Sequence, residues 1–327
     1  MRCVQGIFVP FWRAGKGVIP MLNIYKTIQD RITQLDQIED GCWINLVSPT
    51  EEELSLVINT LNVEPSFLRA ALDPEETSRI DDEEGQTLII IDVPAIEPGN
   101  TSAYSTLPLG IIVTQKHLIT VCLRESPVLT SFESGAIKSA ATHKRTRFIF
   151  LMLLQVAKLY LLYLRQIDKL YNHVERQLYK SQHNKELIQL VDLEKSLVYF
   201  STSLKSNELT LKKILRGRVI PIYEDDQDLL EDVLIEVHQA IEMTTIYSSI
   251  ISNMMDAFSN VISNNLNVIM KALTSLTILL TVPNIVFGFY GMNVAGLPFN
   301  NYFWPPLLIS AVLVLIIAVI LKKKDLF

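Results

Sequence analysis

Asp256, Asn260, Ser263, Asn267, Met270, Thr274, Thr277, Thr281, Asn284, Gly288 and Gly291 follow one another at alternating steps of four and three. At that spacing they share one helical face. Almost all are small or polar. Between Ala272 and Phe289 the polar side chains are Thr274, Ser275, Thr277, Thr281 and Asn284, and only Ser275 lies off the seam. The flanking faces read Leu273, Leu276, Leu280, Phe287 and Ile278, Ile285, Phe289. Several copies of such a helix around an axis would line an aqueous pore with hydroxyls, amides and carbonyls. The plainer use is helix–helix glue, with Ser and Thr bonded to their own backbone and Asn bridging two helices. A polar seam in hydrocarbon is costly unless it faces a partner or water. Because this one runs on without a break to Asp256, the pore is the favoured reading.

The elements that carry the seam follow from charge and turn residues. From Ala272 to Leu321 there is no Asp, Glu, Lys, Arg or His. One crossing needs only roughly 20 apolar residues, so this run predicts two, over 273–292 and 303–321. The loop between them, 293–302, holds Gly296, Pro298, Asn300 and Asn301, which favour turns. Lys271 precedes the first crossing and Lys322, Lys323 and Lys324 follow the second, in a basic tail over 322–327. The positive-inside rule then puts both termini in the cytoplasm of a multi-pass plasma or inner membrane protein. The three terminal lysines serve as that anchor, or as a basic ring near a pore mouth.

Ahead of the hairpin, residues 143–272 predict long helices. Leu151, Leu154, Ala157, Leu161, Leu164, Ile167, Leu170 and Val174 recur at steps of three and four, and a turn is expected near Ser181 to Lys185. A third helix starts near Glu224-Asp225-Asp226 and meets no Pro or Gly before Pro283. Over 226–281 it would span on the order of 80 Å, too long to lie wholly in a bilayer, and so forms a stalk continuous with the first crossing. Its mean step of 3.5 is the period of a left-handed bundle, which predicts self-association around the seam.

Residues 21–142 predict a cytosolic α/β domain, with 1–20 as a disordered lead-in. Cys42–Val47, Thr87–Val93, Leu107–Thr114 and His117–Leu123 are β-rich, and Gln115-Lys116 suggests a tight hairpin. Ser48 or Thr50 caps a helix, and the acids at 73–84 are expected in a solvated loop. The net charge of −6 and pI near 5.5 argue against a nucleic-acid partner. Cys3, Cys42 and Cys122 lack metal or redox spacing, which fits a reducing compartment. No nucleophile elbow, phosphate-binding loop, dinucleotide fingerprint or zinc-protease motif is present, and the five His are scattered, so the chain is not read as an enzyme.

Tyr290-Gly291-Met292-Asn293 closing a first crossing, then a loop, a second crossing and a terminal Lys run resemble the CorA family of magnesium transporters. Trp43-Ile44-Asn45-Leu46 and the helix opened by Pro65 are similar to that family's N-terminal domain. The resemblance implies an α+β/α membrane protein: a cytosolic α/β domain, a long helical stalk and two transmembrane helices per subunit, assembled as a homopentameric funnel in the lipid bilayer. It implies Gly291, Met292 and Asn293 as the outer filter and Met270 with Leu273 as the gate. Thr274, Thr277, Thr281, Asn284 and Gly288 would line the pore, and Asn267 and Asp256 the stalk. Mg2+ would be both cargo and regulator, with Asp232 matching the regulatory carboxylate. Magnesium dehydrates reluctantly, so neutral amides and carbonyls would hold its water shell without trapping it. The chain departs from the family where a second regulatory carboxylate is expected, since that place reads Arg69-Ala70. The outer loop carries no acid, and Thr281 stands where some members have a larger apolar residue.

The leading expectation is channel-like uptake of divalent cations, magnesium first and cobalt or nickel as surrogates. A proton-coupled zinc transporter of the same superfamily ranks lower, because no His or Cys lies on the seam. A membrane-anchored oligomeric metal sensor or scaffold is the other alternative; it would not need polar residues at every turn of the seam.

Overall fold

The computed structural model describes residues 7–8, 22–97, 99–178, 184–216, 220–292, 298 and 302–324. The chain divides into two compact units, Met1–Ser252 and Asn253–Phe327.

The first unit is built on a seven-stranded sheet in the order β3-β2-β5-β9-β8-β7-β6. Its strands are β2 (Leu22–Ile28), β3 (Arg31–Leu35), β5 (Trp43–Val47), β6 (Arg79–Glu83), β7 (Gln86–Glu97), β8 (Asn100–Val113) and β9 (Leu118–Cys122). Only β5 and β9 pair in parallel; the other neighbours are antiparallel. Within the expected lead-in, β1 (Ile7–Phe8) pairs antiparallel with β4 (Gln37–Ile38). Side chains alternate across the sheet. Ile44, Leu46, Ile119 and Val121 enter one core with Leu54 and Val57 of α1 (Glu51–Leu61) and Phe67 and Leu68 of α2 (Pro65–Ala70). On the other side Trp43 packs against Phe132 of α3 (Pro127–Glu133) and Phe148 of α4 (Arg145–Leu178).

Local chemistry accounts for several of these elements. Thr50 caps α1 in a capping box with Glu53, satisfying otherwise orphan amides. Gly110 of β8 leaves room for α2: a Cβ there would lie 2.4 Å from the Ala71 Cβ. The turn at 114–117 closes through the His117 amide, which donates to Thr114 Oγ1 at 2.9 Å. Two expectations change. The sequence pattern singles out no strand ahead of Cys42, yet β2 and β3 form the far edge, where half-exposed alternation blurs the apolar signal. Asp81, Asp82 and Glu83 are in the edge strand β6 rather than in a loop: half-buried Asp81 pairs with Arg79, and the exposed Asp82 and Glu83 are tolerated by an unpaired edge.

α4 and α5 (Asn184–Leu215) cover the unit, and residues 181–183 of the expected turn lie outside the described residues. α4 is apolar enough to cross a membrane, but 67% of its most apolar stretch is buried, against 11% for α6 (Glu224–Tyr290) and for α7 (Trp304–Lys323). α5 holds the sheet through polar groups. Ser196 Oγ accepts from the Tyr104 amide at 2.9 Å, and Asn207 exchanges hydrogen bonds with the Asp92 backbone at 2.9 and 2.8 Å. α6 begins in this unit, where Arg147 of α4 pairs with Asp226 at 3.0 Å.

The second unit contains the rest of α6, continuous through Pro283, and α7. On α6 Phe258 is buried nearer the stalk, and within the apolar run the covered positions are Ser275 and Val286, with Leu279 and Val282 half-buried between them. On α7 they are Ser310 and Leu321, with Val314 and Ile317 half-buried. Both rows keep the helical three–four spacing, and each is the apolar, small-residue face that a helical hairpin needs.

Candidate functional site

Every seam position is exposed: Asp256, Asn260, Ser263, Asn267, Met270, Thr274, Thr277, Thr281, Asn284, Gly288 and Gly291. At about 100° per residue, Ser275, Leu279, Val282 and Val286 point well away from that line. The one polar residue that the periodicity sets apart, Ser275, is 1% exposed. The chain's own packing therefore consumes a different face of α6 and leaves the seam uncovered.

The threonine hydroxyls have a defined direction. Thr274 Oγ1 donates to the Met270 carbonyl at 2.7 Å, Thr277 Oγ1 to Leu273 at 2.8 Å and Thr281 Oγ1 to Thr277 at 2.7 Å. This back-bonding is the satisfaction a hydroxyl needs in an apolar medium. It also uses up each proton, so the oxygens present only lone pairs outward. A hydrated cation presents its water hydrogens outward, and acceptors are what it needs.

The two seam glycines differ. A Cβ at Gly291 would come within 3.2 Å of the Phe287 carbonyl, so the local backbone favours glycine there. At Gly288 a Cβ would meet nothing within 4 Å. A helix-interior glycine costs roughly 1 kcal/mol relative to Ala, and among the described residues no contact at Gly288 offsets that cost.

The expected gate residues Met270 and Leu273 are 52% and 55% exposed one turn apart on α6. Met292 is exposed as well, while Asn293 lies outside the described residues. Lys322, Lys323 and Lys324 are exposed at the end of α7. Asp232 is exposed on the α6 segment of the first unit, as is Arg69 in the last turn of α2. Among the described residues no group of three or more His, Cys, Asp or Glu is placed to hold a metal ion. The sequence pattern treats Lys271 only as a marker of topology.

Fold and hairpin together define an integral membrane protein whose two apolar helices follow a folded α/β domain. The chain belongs to the CorA-like Mg2+ transporter protein family, whose pattern matches residues 39–323. Among its relatives, the cobalt/magnesium transport protein CorA of Methanocaldococcus jannaschii is 27% identical over 295 residues, 86% of this chain and 90% of that protein. The cobalt/magnesium transport protein CorA of Thermotoga maritima is 29% identical over 145 residues, 40% of this chain and 41% of the relative. The complete structure of the CorA magnesium transporter from Methanocaldococcus jannaschii superposes with a TM-score of 0.79 at 23% identity, covering 94% of this chain and 98% of that one. That likeness establishes the shared fold.

Proposed function

We propose that copies of this chain assemble around an axis, turn the α6 seam inward and pass divalent cations across the membrane, with magnesium as the principal cargo and cobalt or nickel as surrogates. The observation that carries this reading is the division of labour on α6. Ser275 and Val286 are covered within the chain, whereas the whole line from Asp256 to Gly291 is exposed. Membership of the family and the cargo in the relatives' names support the choice of ion.

In this reading Asn284, Gly288 and the acceptor oxygens of Thr274, Thr277 and Thr281 receive a cation with its water shell. Neutral acceptors hold it without trapping it, as conduction requires. Gly291, Met292 and Asn293 form the outer filter, Met270 and Leu273 the gate, and Asn267 and Asp256 the cytosolic continuation. Five copies, both termini in the cytoplasm and a plasma or inner membrane location complete the proposal. Asp232 is the proposed ligand for a regulatory magnesium. No His or Cys stands on the seam, so the zinc reading gains no support, and a scaffold without transport does not need polar residues at every turn of the seam.

The test is ion flux with purified protein in liposomes, comparing magnesium, cobalt, nickel and zinc with and without a proton gradient. Magnesium and cobalt entry without a gradient is the expected result. Flux confined to zinc, or dependent on the gradient, would overturn the choice of cargo.

A further inference from the structure

From Asn253 to Phe327 the only acids are Asp256 and Asp325, whereas the cations are Lys271, Lys322, Lys323 and Lys324. All four lysines are exposed. Among the described residues no ion pair reaches any of them. Asp256 is about 22 Å away from Lys271 along the helix. The four also sit at one level. Within the charge-free run of α6 the first buried residue is Ser275, 1% exposed, one turn beyond Lys271. The covered face of α7 ends at Leu321, 6% exposed, immediately before Lys322. In an antiparallel hairpin those two ends meet, so Lys271 and Lys322–Lys324 rim the same edge of the apolar span. Lys271 is one residue past Met270 and so about 100° round the helix from the seam. It thus lies off the seam, one turn before Ser275 on the side of α6 that the chain's own packing covers, and its exposed ammonium extends past the end of that packing toward the headgroups.

We propose that this rim is a binding site for anionic phospholipid headgroups, with Lys271 and the Lys322–Lys324 run holding one phosphate region from two helices. The partner follows from charge and place: cations at the boundary of a hydrocarbon span, with no ion pair among the described residues, meet phosphates, and near the surface each lysine contributes on the order of 1 kcal/mol, about fivefold in affinity. Lys271 shares its turn with Met270 and Leu273. On the proposed transport reading, a bound lipid would therefore steady the turn that carries the gate. The binding itself does not depend on that reading.

The test uses the full chain in neutral detergent micelles, titrated with phosphatidylglycerol, with phosphatidylcholine or with inorganic phosphate, and reads the unfolding temperature. Phosphatidylglycerol should raise it by several degrees and the other two should not. In Lys271→Gln the apparent affinity for phosphatidylglycerol should fall about fivefold, and Lys271→Arg should keep it. In Lys322→Gln/Lys323→Gln/Lys324→Gln the shift should be largely lost. An equal shift with phosphatidylcholine, an equal shift with inorganic phosphate, or a full shift in the glutamine variants would each overturn the site. None of these readings requires transport, so a failure here is distinct from a failure of the pore.

Discussion

Thr274 and Ser275 are neighbours in the chain with opposite fates: Thr274 is exposed with its hydroxyl turned back to the Met270 carbonyl at 2.7 Å, and Ser275 is 1% exposed. One serves a surface that this chain leaves open, and the other serves the packing of the second unit. The pair makes a double prediction. Ser275→Leu adds volume to a covered position and should destabilise the chain by about 1–3 kcal/mol, seen as a lower unfolding temperature. Thr274→Val keeps the shape and removes the acceptor, so it should leave the unfolding temperature unchanged and reduce magnesium flux several-fold.

The glycines separate fold from function in the same way. Gly110→Ala forces a Cβ to 2.4 Å from that of Ala71, so it should destabilise the first unit by roughly 1–3 kcal/mol. Gly288→Ala meets nothing within 4 Å and should not destabilise the single chain. If the seam lines a conduit, the same substitution narrows it and magnesium flux should fall. Unfolding and flux measured on both variants check the contrast.

Much of this was legible in the sequence. The three–four spacing of the seam, the charge-free run and the flanking lysines each report a physical requirement of a helix in lipid. Packing inside the first unit was less legible. Ser196, Ser203, Asn207 and Thr210 of α5 are all buried, yet by type they read as solvent-facing. Their burial rests on partners contributed by distant strands, such as Ser203 Oγ donating to Thr106 Oγ1 at 2.9 Å. Asn45 is hidden for the same reason: it donates to Glu133 at 2.7 Å and accepts from Thr120 at 2.7 Å. No local pattern encodes such pairings.

Asp92 supplies a pH dependence. Burial at the α5–sheet contact pushes its carboxyl up from 3.8 to about 6. The folded chain thus binds a proton more tightly than the unfolded chain. Its stabilising contribution is complete below 3.8 and is lost as pH rises through about 6. Asp92→Asn should flatten the stability–pH curve across that window and make the chain more stable at neutral pH. Urea unfolding of the detergent-solubilised chain between pH 4 and 8 measures it.

Met270 is the proposed gate nearest the cytosolic end of the span and is 52% exposed on the seam. Met270→Gly removes the apolar side chain that would exclude water from a ring of copies. Raised basal magnesium leak in liposomes is the expected outcome; a tightly closed variant would reassign the gate.

The most direct measurement is a single-cysteine scan of α6 in a background lacking Cys3, Cys42 and Cys122. Magnesium flux is followed while a small cationic thiol reagent is added from the aqueous side. Thr274→Cys, Thr277→Cys, Thr281→Cys and Asn284→Cys should be blocked rapidly, and Leu276→Cys and Leu280→Cys should not. Block at the leucine positions with the seam positions untouched would contradict the account, because it would place the water on another face of the helix.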